Sequence, residues 1–237
     1  MGLLKFLGRG SAFNSKEGNT SAFLKKDDYL LLIDCGEDIF DRVIKAKFLE
    51  GVDKVNVLIT HLHPDHVGSL GTLIFYCFYI MKIKVNIFYE DVKALEQLLS
   101  LQGADKSQYN LDCCSKIIGL DKVGVEFIEA FKTEHVPNFK SFGYKLNMID
   151  GKKIIYFGDT NDLPSNVVDM LKLDNNIEVY IDTCLADYPN SAHLSMKKLC
   201  EKAPHEIRGN IYCMHYDSES LIEEIRLNGF NIVENII

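Results

Sequence analysis

Residues Thr60 to His66 read Thr-His-Leu-His-Pro-Asp-His and come directly after the strand-like run Val55–Ile59. No other stretch restricts the chain so much. Three imidazoles and a carboxylate fall within six positions, in a chain with seven histidines in all. His61 and His63 alternate, so persisting strand geometry points both the same way and lets both reach one ion. Pro64 forces a turn, which sets Asp65 and His66 to face a second ion close by. Nitrogen and carboxylate donors without thiolate suit Zn²⁺, with Mn²⁺ or Fe also compatible. The other reading is a surface turn on which histidines merely cluster. Three of seven histidines in one such segment argue against it.

Hydrophobic periodicity around this segment alternates short strands with helices. Strands are predicted at 2–6, 20–25, 29–34, 55–60, 83–88, 123–130, 142–149, 153–157, 177–182, 210–214 and 230–234. Helices are predicted at 37–48, 67–81, 91–101, 164–172, 195–202 and 218–227. Asp150-Gly151 is a strong turn dipeptide and makes 142–157 a hairpin. No linker rich in Pro, Gly or Ser and no sequence repeat interrupts the chain. The simplest packing is two sheets face to face with helices outside, as one α/β domain over 1–237. Several apolar runs end in an acid or an imidazole: LLID at Asp34, VLIT at His61, IIYFG at Asp159, VYID at Asp182 and IYCM at His215. Polar groups at the ends of buried strands converge on one rim of a sheet, where α/β enzymes keep their chemistry.

The H-x-H-x-D-H signature after an apolar strand resembles that of the metallo-β-lactamase superfamily, and the motif order is similar along the chain. The resemblance implies that superfamily's αββα sandwich of two mixed sheets, and it implies a ligand set. His61, His63 and His135 would hold one ion, Asp65, His66 and His215 the other, and Asp159 would bridge the two. Asp34, in Leu-Leu-Ile-Asp-Cys-Gly-Glu, resembles a buried carboxylate that supports the metal loop. The opening FLGRGSAFNSKEGNTS is similar to ribonuclease Z-like members, so the resemblance runs from residue 4 to about residue 217. His193, in Ser-Ala-His-Leu-Ser, resembles an extra histidine of that branch, which faces the scissile phosphate as general acid or electrostatic clamp. Imidazole titrates near neutrality, which suits that task. The plainer reading of His193 is a residue that precedes a helix cap at Ser195. Catalysis is expected to rest on His193, Asp159 and Asp65. His205 matches no motif and is expected at the surface.

Two divalent ions make hydrolysis the expected activity, because they activate water and neutralise charge on the group attacked. The ribonuclease Z-like opening and His193 point to a phosphodiester rather than a carboxyl ester. Ribonuclease Z itself trims transfer-RNA precursors and carries a long arm between its third-motif His and its bridging Asp. Here Asp159 follows His135 by only 24 positions. A net charge of −8 and a sequence pI near 5.4 also disfavour a partner gripped over many phosphates. The compact remainder is similar to the anti-Pycsar proteins, which open cyclic mononucleotides and so silence a defence signal. That resemblance implies hydrolysis of a 3′,5′-cyclic phosphate to a linear nucleoside monophosphate. The alternatives are transfer-RNA 3′ processing, another small phosphodiester, a carboxyl ester, and a nucleotide-binding protein without turnover. A binder needs neither a complete ligand set nor an acid. Phe13, Phe139 and Tyr188 are suited to stack on a base, but no spacing singles one out.

Seven cysteines, odd in number and without a CxxC pair, read as the reduced thiols of a cytoplasmic protein. The adjacent Cys113 and Cys114 are read as incidental buried thiols. No signal-peptide pattern opens the chain, and the apolar stretch Gly71–Met81 is too short for a bilayer of about 30 Å. The predicted helix over 67–81 is apolar nearly all round, so it is buried beneath the sheet or shared with a second copy. Homodimers are common among ribonuclease Z-like proteins, and a homodimer using this face is expected.

Overall fold

The structure of the protein, a computed structural model, describes residues 2–114, 116–137 and 140–236. Leu30, Leu31, Leu32 and Ile33 are all buried, which a strand achieves only when both its faces are covered. Alternation divides them. Leu31 and Ile33 enter one apolar cluster with Phe6, Tyr156, Ile181 and Leu199. Leu30 and Leu32 enter another with Ile39, Val43, Leu73 and Leu95.

The first sheet has six strands in the order β1 (Lys5–Gly8), β2 (Ser21–Lys26), β3 (Tyr29–Ile33), β4 (Lys54–Leu58), β5 (Val85–Phe88) and β6 (Tyr109–Asp112). The second, read from its β7 edge, has β7 (Val125–Thr133), β8 (Ser141–Met148), β9 (Lys153–Tyr156), β10 (Ile177–Asp182), β11 (Ile211–Met214) and β12 (Asn231–Ile232). Helices α1 (Ile39–Lys45), α3 (Leu70–Phe75) and α4 (Val92–Leu101) cover the outer face of the first sheet. Helices α5 (Ser165–Leu173), α6 (Met196–Lys202) and α7 (Ser220–Leu227) pack with the second. A one-turn helix, α2 (Pro64–Val67), carries the end of the histidine segment. The layers are those of the αββα sandwich.

Each sheet opens with two antiparallel pairings and continues with three parallel ones. The halves therefore repeat in topology, although no repeat is visible in the sequence. The reason is that burial patterns, not residue identities, define the strands.

Three expectations change. The helix over 67–81 is broken: Ser69 Oγ donates to Gly36 O at 2.5 Å and accepts from Phe40 N at 3.0 Å, which draws the chain out of α2 before α3 begins. The segment Tyr76–Met81 then continues as a π-helix, with Leu70, Leu73, Ile74 and Cys77 buried but Tyr79 and Ile80 exposed. Strand β6 was not expected, because Tyr-Asn-Leu-Asp lacks an apolar run. A side-chain ladder holds it: Asn86 Nδ2 donates to Asn56 Oδ1 at 3.1 Å and Asn110 Nδ2 to Asn86 Oδ1 at 2.8 Å. Cys113 is exposed rather than buried. The Asp150-Gly151 turn joins β8 to β9 with Gly151 at φ +86°, where a side chain would be strained. Among the described residues no helix is long and apolar enough to cross a membrane.

Candidate metal centre

The parallel strands β3, β4, β9, β10 and β11 send their C-terminal ends, or the loops just beyond, to one place. Those ends supply Asp34, His61, Asp159, Asp182 and His215. Asp34 (φ +66°) and His215 (φ +62°) adopt left-handed backbone, and Gly158 (φ +63°) does so just before Asp159. Residues other than glycine hold that conformation only where surrounding bonds over-determine it.

At Asp34 those bonds are explicit. Its carboxylate accepts from Thr60 N and Thr60 Oγ1, both at 2.8 Å, and stands 2.8 Å from His66 Nδ1. Cys35 N donates to His66 O at 2.8 Å. A Cβ on Gly36 would lie 2.0 Å from Asp65 O, so the Asp-Cys-Gly sequence lets one loop lie flat against the other. The second sheet fastens the same segment, with Phe142 N donating to Thr60 O at 3.0 Å and Tyr144 Oη to Ile59 O at 2.5 Å.

Ring orientation follows from these supports. His135 Nδ1 faces the carbonyl of Ala192 at 2.9 Å, so Nδ1 carries the proton and Nε2 offers its lone pair inward. With His66 Nδ1 on Asp34, Nε2 is likewise the inward atom. His61 Nε2, His63 Nδ1 and His135 Nε2 then crowd together, 2.9 Å and 3.3 Å apart. One set of donors, His61, His63, His135 and Asp159, lies within 4.8 Å of one another, and so does a second, Asp65, His66, Asp159 and His215. Asp159 belongs to both. Its Oδ2 is 3.8 Å from His61 Nε2 and 3.7 Å from His135 Nε2, while Oδ1 is 3.2 Å from His66 Nε2 and 3.5 Å from His215 Nε2.

Whether divalent ions fit this set is decided by atoms that nothing else satisfies. His66 Nε2 and Asp159 Oδ1 are buried and make no hydrogen bond, although they are 3.2 Å apart. Buried polar atoms need partners, and all donors here are imidazole or carboxylate, the chemistry of Zn²⁺ or a similar ion. The donor set fits two ions. A third group, Asp159, Asp182, His193 and His215, is equally compact. A hydrogen bond of 2.6 Å joins its new members, His193 Nδ1 and Asp182 Oδ2, while Asp182 Oδ1 is buried without a hydrogen bond.

Burial disfavours charge on His61 and, helped by neighbouring imidazoles, holds its pKa well below the ordinary value. Burial acts the same way on His66, but Asp159, Asp34 and Asp65 together outweigh it, and the pKa rises well above the ordinary value. His215, against the same desolvation, is pushed up to about 10 by Asp159 and Asp182. For Asp159 the desolvation is overcome by His215 and His66, which keep it well below the usual carboxylate range. Protons and divalent cations compete for such nitrogens. Asp159 is thus an anion on both sides of that exchange.

A cavity of about 460 Å³ opens over the donors, with His63, Asp65, Asp159, His193 and His215 among its lining residues. His193 is partly exposed into it. The seven candidate ligands come together, and Asp34 lies behind them. Ser195 does cap α6, accepting from Lys198 N at 3.3 Å, so His193 precedes a cap and also faces the cavity. His205 is exposed on a 3₁₀ turn spanning His205–Asn210. In the sequence Asp182 is legible only as a strand end. It is fully buried, bonds His193, accepts from Thr160 N at 3.3 Å, and its Oδ1 lies 3.4 Å from His215 Nδ1. Its likeness to Asp34, an acid ending a buried strand, was the available signal.

Two six-stranded sheets between helices, with this donor set on their common rim, define a protein of the metallo-β-lactamase fold with a candidate metal centre. Solved structures share that architecture at low identity. YhfI of Bacillus subtilis, a metallo-beta-lactamase fold protein, superposes with a TM-score of 0.74 at 18% identity, covering 98% of this chain and 94% of its own. The short form of human tRNase Z gives 0.66 at 17% identity, covering 99% and 97%. The family model of anti-Pycsar protein Apyc1 matches residues 3–235, and the chain belongs to that family. Apyc1 of Paenibacillus harenae is 25% identical over 224 residues, 90% of this chain and 89% of its own. Apyc1 of Bacillus phage BSP38 is 27% identical over 236 residues, 90% and 88%.

Proposed function

We propose that the protein is a two-metal phosphodiesterase that opens the 3′,5′-cyclic phosphate of mononucleotides to the linear monophosphate, and so counters a cyclic-nucleotide defence signal. The observation that carries the substrate is the family match over residues 3–235. His61, His63 and His135 would hold one divalent ion, most naturally Zn²⁺, and Asp65, His66 and His215 the other, with Asp159 between them. When bound, such ions lower the pKa of water and neutralise charge on a phosphate under attack. Asp34 and the Ala192 carbonyl keep the rings of His66 and His135 turned inward.

Opening a cyclic diester breaks one phosphorus–oxygen bond, and the departing ribose oxygen needs a proton. His193 is the residue placed for that. Its Nδ1 is held by Asp182 at 2.6 Å, which leaves Nε2 as the ring nitrogen available to the cavity. Burial lowers the readiness of His193 to be charged, but Asp182 outweighs it and the net shift is upward, the direction that favours the protonated ring a general acid needs.

The cavity size supports a small substrate, since mononucleotide-sized ligands occupy pockets of roughly 300–1,000 Å³. Strands β8 and β9 and their turn take up most of the interval from His135 to Asp159, leaving no room for an arm that grips transfer RNA. The reading includes a homodimer built on the exposed Tyr79–Ile80 end of the π-helix, which light scattering would test. The function is tested by offering metal-loaded protein cyclic mononucleotides, bis-p-nitrophenyl phosphate and a lactone. Linear monophosphates are expected, and turnover of the lactone alone would overturn the proposal.

A further inference from the structure

The segment FLGRGSAFNSKEGNTS provides no candidate ligand, yet it is folded with care against the centre. Gly8 and Gly10 allow two stretches of backbone to touch: a Cβ would lie 2.2 Å from Asn19 O at Gly8 and 2.8 Å from Asn14 O at Gly10. Between them and Asn19 the chain makes a tight turn, closed by Asn14 N donating to Ser11 O at 3.0 Å. That turn is fastened to Tyr216, the residue after the candidate ligand His215. Ser11 N and Asn14 Nδ2 both donate to Tyr216 O at 3.0 Å, and Tyr216 N donates back to Arg9 O at 3.1 Å. Phe13 rides on this turn. It lines the cavity over the centre and is 99% exposed.

A second aromatic lines the same cavity from another loop. Tyr188 begins a turn, Tyr188-Pro189-Asn190-Ser191, in which Ser191 N donates to Tyr188 O at 3.2 Å and Asn190 sits at φ +60°. Proline followed by a left-handed residue is a rigid turn. The Asp217 carboxylate accepts from Leu185 N at 2.9 Å and Ala186 N at 3.3 Å, fixing the start of that loop. Phe139, the third aromatic suited to stack on a base, lies outside the described residues. Tyr188 is 53% exposed. A fully exposed phenylalanine on a stapled turn beside a polar centre gains nothing by folding alone. Among the described residues lining this cavity there is no Lys or Arg, whereas the walls include Ala12, Pro64 and Ala186. Ser11, Ser191 and Asp217 also line it, and Phe13 and Tyr188 are the flat surfaces it offers to the far end of a ligand whose phosphate lies at the floor.

We propose that Phe13 and Tyr188 are specificity-determining residues that stack on the nucleobase of the substrate. This rests on the cyclic-nucleotide reading and adds to it the residues that select the substrate. Stacking is tolerant of base identity but grows with ring area, so purines are favoured over pyrimidines. The test compares cAMP, cUMP and ribose 3′,5′-cyclic phosphate, which has no base, on the metal-loaded enzyme. Phe13→Ala should raise KM for cAMP by roughly 5- to 100-fold, with a smaller rise for cUMP, because base stacking is lost. The base-free ester should change little, kcat should hold, and Phe13→Trp should restore KM. Tyr188→Ala should shift KM in the same order. Equal losses on the base-free ester, or unchanged KM for cAMP in both variants, would overturn the proposal while leaving the cyclic-phosphate activity standing. If the unmodified enzyme cleaves none of the three while cleaving bis-p-nitrophenyl phosphate, the cyclic-nucleotide reading falls and takes this inference with it. Melting temperature should be unaffected by Phe13→Ala, since the ring is solvent-exposed, so a folding defect does not obscure the result.

Discussion

Asp159 Oδ1 lies 3.2 Å from His66 Nε2, and neither buried atom makes a hydrogen bond. The other carboxylate oxygen of Asp159 faces His61 and His135 instead. One side chain thus serves both donor sets, and its loss is not a loss of one ligand but of the link between two. Asp159→Ala is expected to abolish turnover while far-UV circular dichroism stays native. A loss of only a few-fold would place the bridge on another residue.

Metal content follows from the same geometry. Protein purified without chelator should contain close to two equivalents of a transition metal, measured by elemental analysis, because each donor set has four members within 4.8 Å and shares one. EDTA should remove the activity, and Zn²⁺ or Mn²⁺ should restore it. Full turnover in EDTA by protein without metal would end the two-metal mechanism.

Asp34 should behave differently from Asp159. It belongs to neither donor set and holds Thr60 and His66 in place. Asp34→Ala leaves a backbone N–H, a hydroxyl and a ring nitrogen without their buried acceptor, at about 1–3 kcal/mol for each donor left unsatisfied. Melting temperature and metal affinity should fall together, the latter by roughly 10- to 100-fold. Lost activity with unchanged metal affinity and stability would mean that Asp34 contacts substrate.

How far the site could be read from the sequence depends on contact range. His61 to His66 are neighbours in the chain, so their type and alternation already describe a local geometry. His135, Asp159 and His215 were legible only through motif order, because nothing local in a strand-end His says what it faces across two sheets. Asp182 escaped for the same reason. Its bond to His193 exists because the loop after β10 turns back at Tyr188–Ser191, and no periodicity encodes that return. The β6 strand failed for another cause: three asparagines hydrogen-bonded across strands substitute for the apolar pattern that reveals the other strands. The break at Gly68–Ser69 was hidden because the serine acts on a loop thirty residues earlier.

The substrate ranking separates sharply in solution. Cyclic mononucleotides should be cleaved and precursor transfer RNA should not, given the short interval between His135 and Asp159 and a net charge of −8. Raising salt should not rescue the RNA reaction, because screening weakens repulsion without supplying a binding arm. Efficient 3′ processing at physiological salt would reverse the ranking.

His193 offers the most discriminating experiment, because its candidate role as acid differs from both ligand and support. If it gives a proton to the departing ribose oxygen, His193→Ala should lower kcat on a cyclic nucleotide by roughly 10²- to 10⁴-fold. Metal content should not change, since His193 Nδ1 is committed to Asp182. p-Nitrophenolate leaves without needing a proton, so bis-p-nitrophenyl phosphate should suffer far less. Asp182→Asn should reproduce part of this pattern by weakening the hold on the ring, and should also loosen His215, whose Nδ1 is 3.4 Å from the other oxygen of Asp182. Equal losses on both substrates in His193→Ala would assign the ring to holding the phosphate. Loss of metal would make it a ligand, in keeping with the third compact group of Asp159, Asp182, His193 and His215. Unchanged rates on both would leave His193 no role beyond preceding the Ser195 cap, and would remove the geometric argument for a phosphodiester over a carboxyl ester.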